Sequence, residues 1–501
     1  MLLASLFVAL AGSIVFAILF RHADPWLRQR AIQLLQEKFH SDVDLREFHV
    51  RVFPDIRVEG SGLQLRHEGR TDVPPLISID SFQAHMSIAA LWAKKPWRVD
   101  HINLTRLVIQ VPRARPGQAP QWVTKREISI LVDELTAADC QLILLPKAEN
   151  KDPIVFDIHH LDMHSVGLHH AASFHAQLTN AVPPGEIDTK GSFGPWNPDD
   201  PGQTPLAADY TFSHADLGVF KGIAGILSST GRFGGVLEEI EVEGRTSTPD
   251  FQVDVGGHRV ALDTVFSATV DGTNGNTILH PVKAHFLHTY LVANGGVVKT
   301  PGMNGRAVVL DVKIQSGRLE DLLRLAVKAD QPPLTGTIDL HTKFDLPPGK
   351  RDISEKLKLK GTFHVNKGAF TNPEVSAKIA SLSRKALGQP QEENAGSAIS
   401  SLNGNFLLDK GLATFDHLTF SVPGASIQLD GTYVLEQETL DFHGKLRMQA
   451  KLSQTTTGVK SFLLKPVDPF FRKNGQTEVP IKVTGTRDHP QFGLELRRKQ
   501  K

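Results

Sequence analysis

The residues in this chain best suited to chemistry are its histidines. The stretch DIHHLDMHSVGLHHAASFH carries His159, His160, His164, His169, His170 and His175, and neutral imidazole is a common metal ligand. Strand alternation would send His159 and His160 to opposite faces, and the stretch lacks HExxH or a comparable ligand spacing, so it reads as a surface strand and turn. The segment VDGTNGNT, from Val270, has the look of a calcium loop, but glycine stands second and the closing glutamate is missing, so a β-turn is expected. Asp199 and Asp200 sit in turn sequence. The single cysteine, Cys140, excludes an internal disulfide and reads as a small buried hydrophobe. The sequence contains no Walker loop, dinucleotide fingerprint or nucleophile elbow. The expectation is therefore a non-enzymatic protein with no catalytic residues, no metal and no cofactor.

The elements that would position any site are mostly strands. Across 501 residues, Lys+Arg 55 against Asp+Glu 54 gives a net charge of +1, which points to neither nucleic acid nor a polybasic lipid surface. Leu440, Phe442, Gly444, Leu446, Met448, Ala450 and Leu452 share one parity, and Asp441, His443, Lys445, Arg447, Gln449 and Lys451 take the other. Leu334 to Leu346 alternates likewise, as does KLKLKGTFHV around Leu357, Leu359 and Phe363. One dry and one wet side per strand is the mark of antiparallel sheet. Gly336, Gly361, Gly404, Gly431, Gly444 and Gly485 fall on the apolar parity and predict a sheet that curls with that side concave. Helices are expected at Asp216 to Ser228, Leu319 to Lys328, Pro373 to Leu387 and Thr457 to Leu464, too few to cover the apolar strand surface.

At the N-terminus, Leu2 to Phe20 carries no charge and as a helix would extend about 28 Å, enough to span a bilayer core. Leu2, Leu6, Phe7, Ile14, Phe16, Leu19 and Phe20 are its large apolar residues. A clean signal-peptide cleavage site is lacking, so an uncleaved transmembrane anchor over residues 1–23 is expected. Arg21, Arg28, Arg30 and Lys38 follow the span, a charge order that by itself favours a cytoplasmic body. Asp24 and Pro25 open a helix running to about Phe39, lying either on the membrane surface or on the following domain. Residues 24–127 form an N-terminal segment, 128–271 a middle β-rich segment and 272–501 a C-terminal sheet segment, with Pro112 to Pro120 a proline-rich break.

Several strings resemble the AsmA family of Gram-negative envelope proteins: RVFPDIRVEGSGLQLR, PPLISIDSFQAHMSIAALW and VDHINLTRLVIQVPR near the anchor, then GIAGILSSTGRFGGVLEEIEVEGRTSTPDF, SVPGASIQLDGTYVL and KPVDPFFRKNGQTEVPIKVTGT further on. The resemblance covers most of the chain and none of these strings is catalytic. It implies a single-pass inner-membrane anchor, a periplasmic body built as a long, curled, taco-like β-sheet, and a part in moving phospholipid between inner and outer membrane in support of outer-membrane assembly. The fold class expected is mainly β with a few helices: a transmembrane helix plus a long curled antiparallel sheet whose groove takes phospholipid or another acyl-chain lipid. Its lining would include Ile338, Leu340, Phe344, Leu357, Phe363, Phe406, Phe442, Leu446 and Met448. The expected partners are the inner membrane and outer-membrane or periplasmic proteins, and no nucleic acid. The alternative is an envelope scaffold with a closed β core and no lipid transfer.

Overall fold

The computed structural model describes residues 24 to 495, with breaks at 40, 53, 68–74, 76, 93–96, 112–129, 145–153, 168–169, 196, 198–200, 273–274, 300–304, 350, 391–399, 457–464 and 474. The expected anchor, with Leu2, Leu6, Phe7, Ile14, Phe16, Leu19 and Phe20, lies outside the described residues, as do the helix expected at 457–464 and the break at 112–120. Among the described residues no helix is long and apolar enough to cross a membrane. The fold is mainly β, a long and almost wholly antiparallel sheet with few helices. It divides into two units that are discontinuous in sequence: residues 1–216, 227–245 and 268–275, and residues 217–226, 246–267 and 276–501.

The first unit opens with the helix α1 (Asp24–Phe39), followed by β1 (Ser41–Asp44), β2 (Glu47–Arg51), β3 (Ile56–His67), β4 (Ile77–Met86) and β5 (Trp97–Val111). β1 and β2 together form one broken edge strand on β3. The helix α1 packs on that edge, burying Ala31 and Leu35, and Arg28 Nε donates to the Leu45 carbonyl at 2.6 Å. Of the two placements expected for this helix, it takes the one against the domain. β6 (Ile130–Leu144) then runs parallel to β5, which corrects the purely antiparallel expectation. Parallel neighbours need a crossover of a dozen or more residues, and positions 112–129 supply that length. From there β7 (Ile154–Gly167), β8 (Ala172–Ala181), β9 (Pro184–Phe193) and β10 (Pro205–Asp216) form an antiparallel meander.

The dry face is sealed over β1 to β7, whereas Phe174, Leu178, Ile187 and Phe212 on β8 to β10 stay half-buried. One continuous cluster of buried side chains runs from Ala31 to Ala172, including Ile56, Leu63, Ile79 and Phe82 at 0–2 % exposure. The strands keep that face dry by changing parity. Arg106 (φ 50°) and Asp139 (φ 54°), in matching register on β5 and β6, adopt left-handed backbone, and the buried positions shift from Leu104 to Leu107 and from Ala137 to Cys140.

β11 (Ile223–Ala224), β12 (Ile226–Val236), β13 (Glu239–Val253) and β14 (Arg259–Val270) are shared between the two units, and the rest of the second unit is a continuous meander. It comprises β15 (Thr277–Phe286), β16 (Thr289–Lys299), β17 (Arg306–Arg318), β18 (Leu334–Leu346), β19 (Lys358–Phe370), β20 (Ser400–Asp409), β21 (Leu412–Val422), β22 (Ala425–Val434) and β23 (Thr439–Met448), closing with β24 (Arg472–Lys473), β25 (Gln476–Thr486) and β26 (Pro490–Leu494). Its helices are α2 (Leu319–Ala326), α3 (Ile353–Lys356), α4 (Pro373–Ala386) and α5 (Asp468–Phe471). Instead of a helix over 216–228 there is a 3-10 turn, β11 and the start of β12. Gly222 (φ 99°) and Gly225 (φ 134°) turn the chain there, and Leu217 N–H bonds back to the Gly225 carbonyl at 2.9 Å.

The curled, taco-like sheet expected from the glycines is not found. In neither unit does a pairing among the described residues join the two edges of the sheet. The glycines have another use: Gly60 pairs with Phe82, Gly361 with Phe406, Gly404 with Phe363, and Gly431 with Phe415 on one side and Phe442 on the other. A Cβ on Gly431 would lie 2.7 Å from Phe442 Cδ1 and would also meet the Asp441 carbonyl. At Gly361, Gly404 and Gly431, glycine on the apolar parity makes room for a neighbouring ring and backbone, while Gly336 falls at a register shift between β18 and β19.

Candidate functional site

In a meander, alternate connections fall at the same end of the sheet. α2 joins β17 to β18, α4 joins β19 to β20, and α5 lies between β23 and β25, so all three emerge at one end of the second unit. There they cover the apolar face in two small clusters. Leu319 of α2 is buried with Ile338 and Val365, while Ala386 of α4 is buried with Phe420, Val422, Ala425, Met448 and Val479. Asn372 caps α4 by accepting from Glu374 N–H at 2.9 Å, Pro373 follows at its first turn, and Ser383 Oγ ties the helix to the Pro423 carbonyl at 2.8 Å. At the opposite end the described connections are tight turns and the four-residue α3, and no comparable cover is built among the described residues.

The strand registers place the remaining apolar side chains in rows. Leu310, Phe344, Leu359, Leu408, Ala413, Tyr433 and Leu440 align across β17 to β23, and the next row carries Val312, Phe406, Phe415, Phe442 and Val483. Rings connect along these rows and the one beyond: Phe363 to Phe406 at 6.1 Å between centroids, Phe363 to Phe415 at 6.3 Å edge to face, and Phe415 to Phe442 at 5.8 Å. Phe344, Leu359, Phe363, Phe406 and Phe415 are half-buried, shielded mainly by one another. Burial pushes the Tyr433 phenol up to about 12, with the Glu438 carboxylate adding to the shift. Arg487, salt-bridged to Glu438 at 3.1 Å and to Asp488 at 3.1 Å, is the charged group beside this end of the face.

The nine residues expected to line a groove fall into two sets. Leu340, Phe344, Phe363, Phe406 and Leu446 are half-buried on the apolar face, and Leu357 lies at its margin, capping α3 ahead of β19. Ile338, Met448 and Phe442 are under 8 % exposed, the first two beneath the helices and Phe442 within the ring row. The expected lining omits Leu359 and Leu440, although parity puts both on the dry side, and sequence reasoning missed Phe415 and Tyr433. The parity of LATFDHLTFSV would have found Phe415 had the bulge at His417 (φ 55°) not reset the alternation after it.

The histidine-rich stretch forms local polar pairs, two across strands and one within β7. An extra residue in β7 at His159 sends it to the polar face with His160, which corrects the opposite-face expectation. His159 Nε2 meets Thr179 Oγ1 at 2.7 Å, His160 Nε2 meets Asp162 at 2.8 Å, and His175 Nε2 meets Asp188 at 3.0 Å. His169 lies outside the described residues, among which no three His, Cys, Asp or Glu side chains could hold a metal ion. Cys140 is buried, and burial pushes its thiol up to about 11. Asp271 and Gly275 form a turn, Gly275 N–H bonding to the Asp271 carbonyl. No protein-family model, curated protein or solved structure matches the chain.

Proposed function

We propose that the half-buried phenylalanine face of the second unit carries the acyl chains of phospholipid, as the AsmA-like, membrane-anchored envelope protein suggested by the sequence would require. The observation that carries this reading is the asymmetry of cover: helices seal one end of the face, and at the other end Phe344, Leu359, Phe406, Phe415, Tyr433 and Leu440 stay half-buried around the buried Leu408 and Ala413. An acyl chain laid on these rows replaces water against apolar wall, worth about 0.8 kcal/mol per methylene, close to what the bilayer itself offers. Such a face therefore holds lipid loosely enough to release it. The head group would remain beside Arg487, Glu438 and Tyr433 at the uncovered end. No step of bond chemistry is needed.

The scaffold reading rests on the first unit, whose strands β1 to β7 bury their apolar side chains in the cluster from Ala31 to Ala172. The two readings separate in native mass spectrometry of the purified full chain. Lipid carriage predicts stoichiometric phospholipid that is lost in Phe406→Asp while the β-sheet circular dichroism is retained. A folded wild-type chain free of lipid would transfer support to the scaffold.

A further inference from the structure

We infer that the polar face of the second unit binds an acidic oligosaccharide in a groove that crosses β17 to β21. The groove has a volume of about 600 Å³. One wall is the cross-strand row Lys313, His341, Thr362 and Asn405; the other is Gln315, Asp339, His364 and Asn403. Between them run the backbones of Ile314, Leu340, Phe363 and Gly404, the side chains of the first three belonging to the apolar side. His417, on its bulge, closes one end. Walls two residues apart along each strand stand roughly 7 Å from each other, and four inter-strand steps give a length of about 19 Å. Those are the proportions of a short linear chain.

The chemistry of the walls selects among linear chains. His341 is engaged with Asp311 at 2.8 Å, His364 with Asn366 at 2.9 Å, and Asp339 accepts the Ser316 N–H at 2.8 Å, so these three are fixed in place. Among the described residues, Gln315, Thr362, Asn403 and Asn405 make no side-chain hydrogen bond within the protein. Amides and a hydroxyl both donate and accept, which is the complement of a chain of hydroxyl groups, each of which does the same. One row out, Lys343 stands between Asp311 on β17 and Lys360 on β19, so among the described residues Lys360 is the lysine of this row with no carboxylate partner. An anionic substituent on the bound chain would pair with Lys360. The groove is therefore matched to sugar hydroxyls along its length and to a carboxylate or phosphate at the lysine rim. It lies on the opposite face from the phenylalanine rows and does not depend on their function.

Titration calorimetry of the full chain with hexagalacturonic acid, maltohexaose and inorganic polyphosphate tests this. Hexagalacturonic acid should bind saturably, and the Asn403→Ala, Asn405→Ala double variant should weaken it about tenfold, as loss of two or so hydrogen bonds would. Thr362→Arg should abolish binding by filling the groove despite its added positive charge. Lys360→Gln should weaken hexagalacturonic acid while leaving maltohexaose unchanged. All four positions are exposed, and His364→Gln gives a second reading of the same wall should the double variant lose its β-sheet circular dichroism. Absence of binding by both sugars overturns the assignment. So does sugar binding that survives Thr362→Arg, or polyphosphate binding as tightly as hexagalacturonic acid and indifferent to the asparagine variants.

Discussion

The two units build their dry faces from the same parts and finish them differently. Both set large rings opposite glycine, Phe82 over Gly60 in one and Phe442 over Gly431 in the other, and both correct strand parity with residues in left-handed backbone. Over β1 to β7 of the first unit the result is a sealed core, with Phe82 at 2 % exposure among neighbours equally dry. In the second, helices in alternate connections cover one end and leave Phe344, Phe406 and Phe415 half-buried. Within the second unit, what separates the sealed end of the face from the half-buried end is where the helices enter the meander.

The largest effect that could break this comparison is cavity formation. Phe82→Ala should destabilise the first unit by about 3–5 kcal/mol, the range for a fully buried aromatic, whereas Phe406→Ala should cost well under half of that because its ring is already partly in water. Urea unfolding of each variant reads both numbers. Equal costs would mean that the second unit is as closed as the first. Next comes Gly431→Ala, whose new methyl meets both Phe442 and the Asp441 carbonyl, so a loss of roughly 1–3 kcal/mol is expected. Phe442→Ala should relieve only part of that loss, because the backbone carbonyl stays where it is; complete relief would make the glycine a matter of ring packing alone. Ser383→Ala removes the bond from α4 to the Pro423 carbonyl and should cost about 1 kcal/mol. If the helix is the cover that matters, the same variant should raise lipid occupancy of the second unit in native mass spectrometry, and an unchanged occupancy would detach the helix from that role.

Much of this architecture was legible in the sequence, for identifiable reasons. The strand Leu334–Leu346 was found to the residue because its period of two is unbroken on the wet side, and α4 because Asn372 and Pro373 mark its start. The stretch from Asp216 to Ser228 looked helical through Leu217, Phe220, Ile223 and Leu227, but Gly222 and Gly225 sit at positive φ and the local pattern yielded to the turn they make. The bulges at Ser316, Lys367 and His417 left no trace, since none of those residues favours left-handed backbone strongly enough to announce it. The bulge N–H groups of Ser316 and His417 are held by carboxylates on the next strand, Asp339 and Asp430, a pairing visible only once the register is known. Of the apolar face, parity identified Phe363, Phe406 and Phe442. Which of these lay under a helix depended on which end of the sheet each connection occupies, and that is a property of the whole meander.

The smallest expected effect concerns the wet faces, where the two units should behave alike. Asp188 in the first accepts from His175 at 3.0 Å, and Asp311 in the second meets His341 at 2.8 Å. The histidine bond is the largest influence on each carboxyl and holds it below the usual aspartate range, with Gln177 adding to the effect at Asp188 and nearby lysines in both. A carboxyl lowered in the folded state contributes stability in full above its unfolded pKa of about 3.9, and that contribution is lost as pH falls through the lower folded value. Both carboxyls are largely solvated, so screening keeps the contribution small. Carboxyl-carbon NMR should show both groups still ionised at a pH where an ordinary aspartate is half protonated, and Asp188→Asn and Asp311→Asn should each flatten the acid limb of stability by a similar, modest amount. A large loss from Asp311→Asn alone would mean that the second unit leans on its polar face to compensate for a dry face left open, and the likeness of the two wet faces would fail.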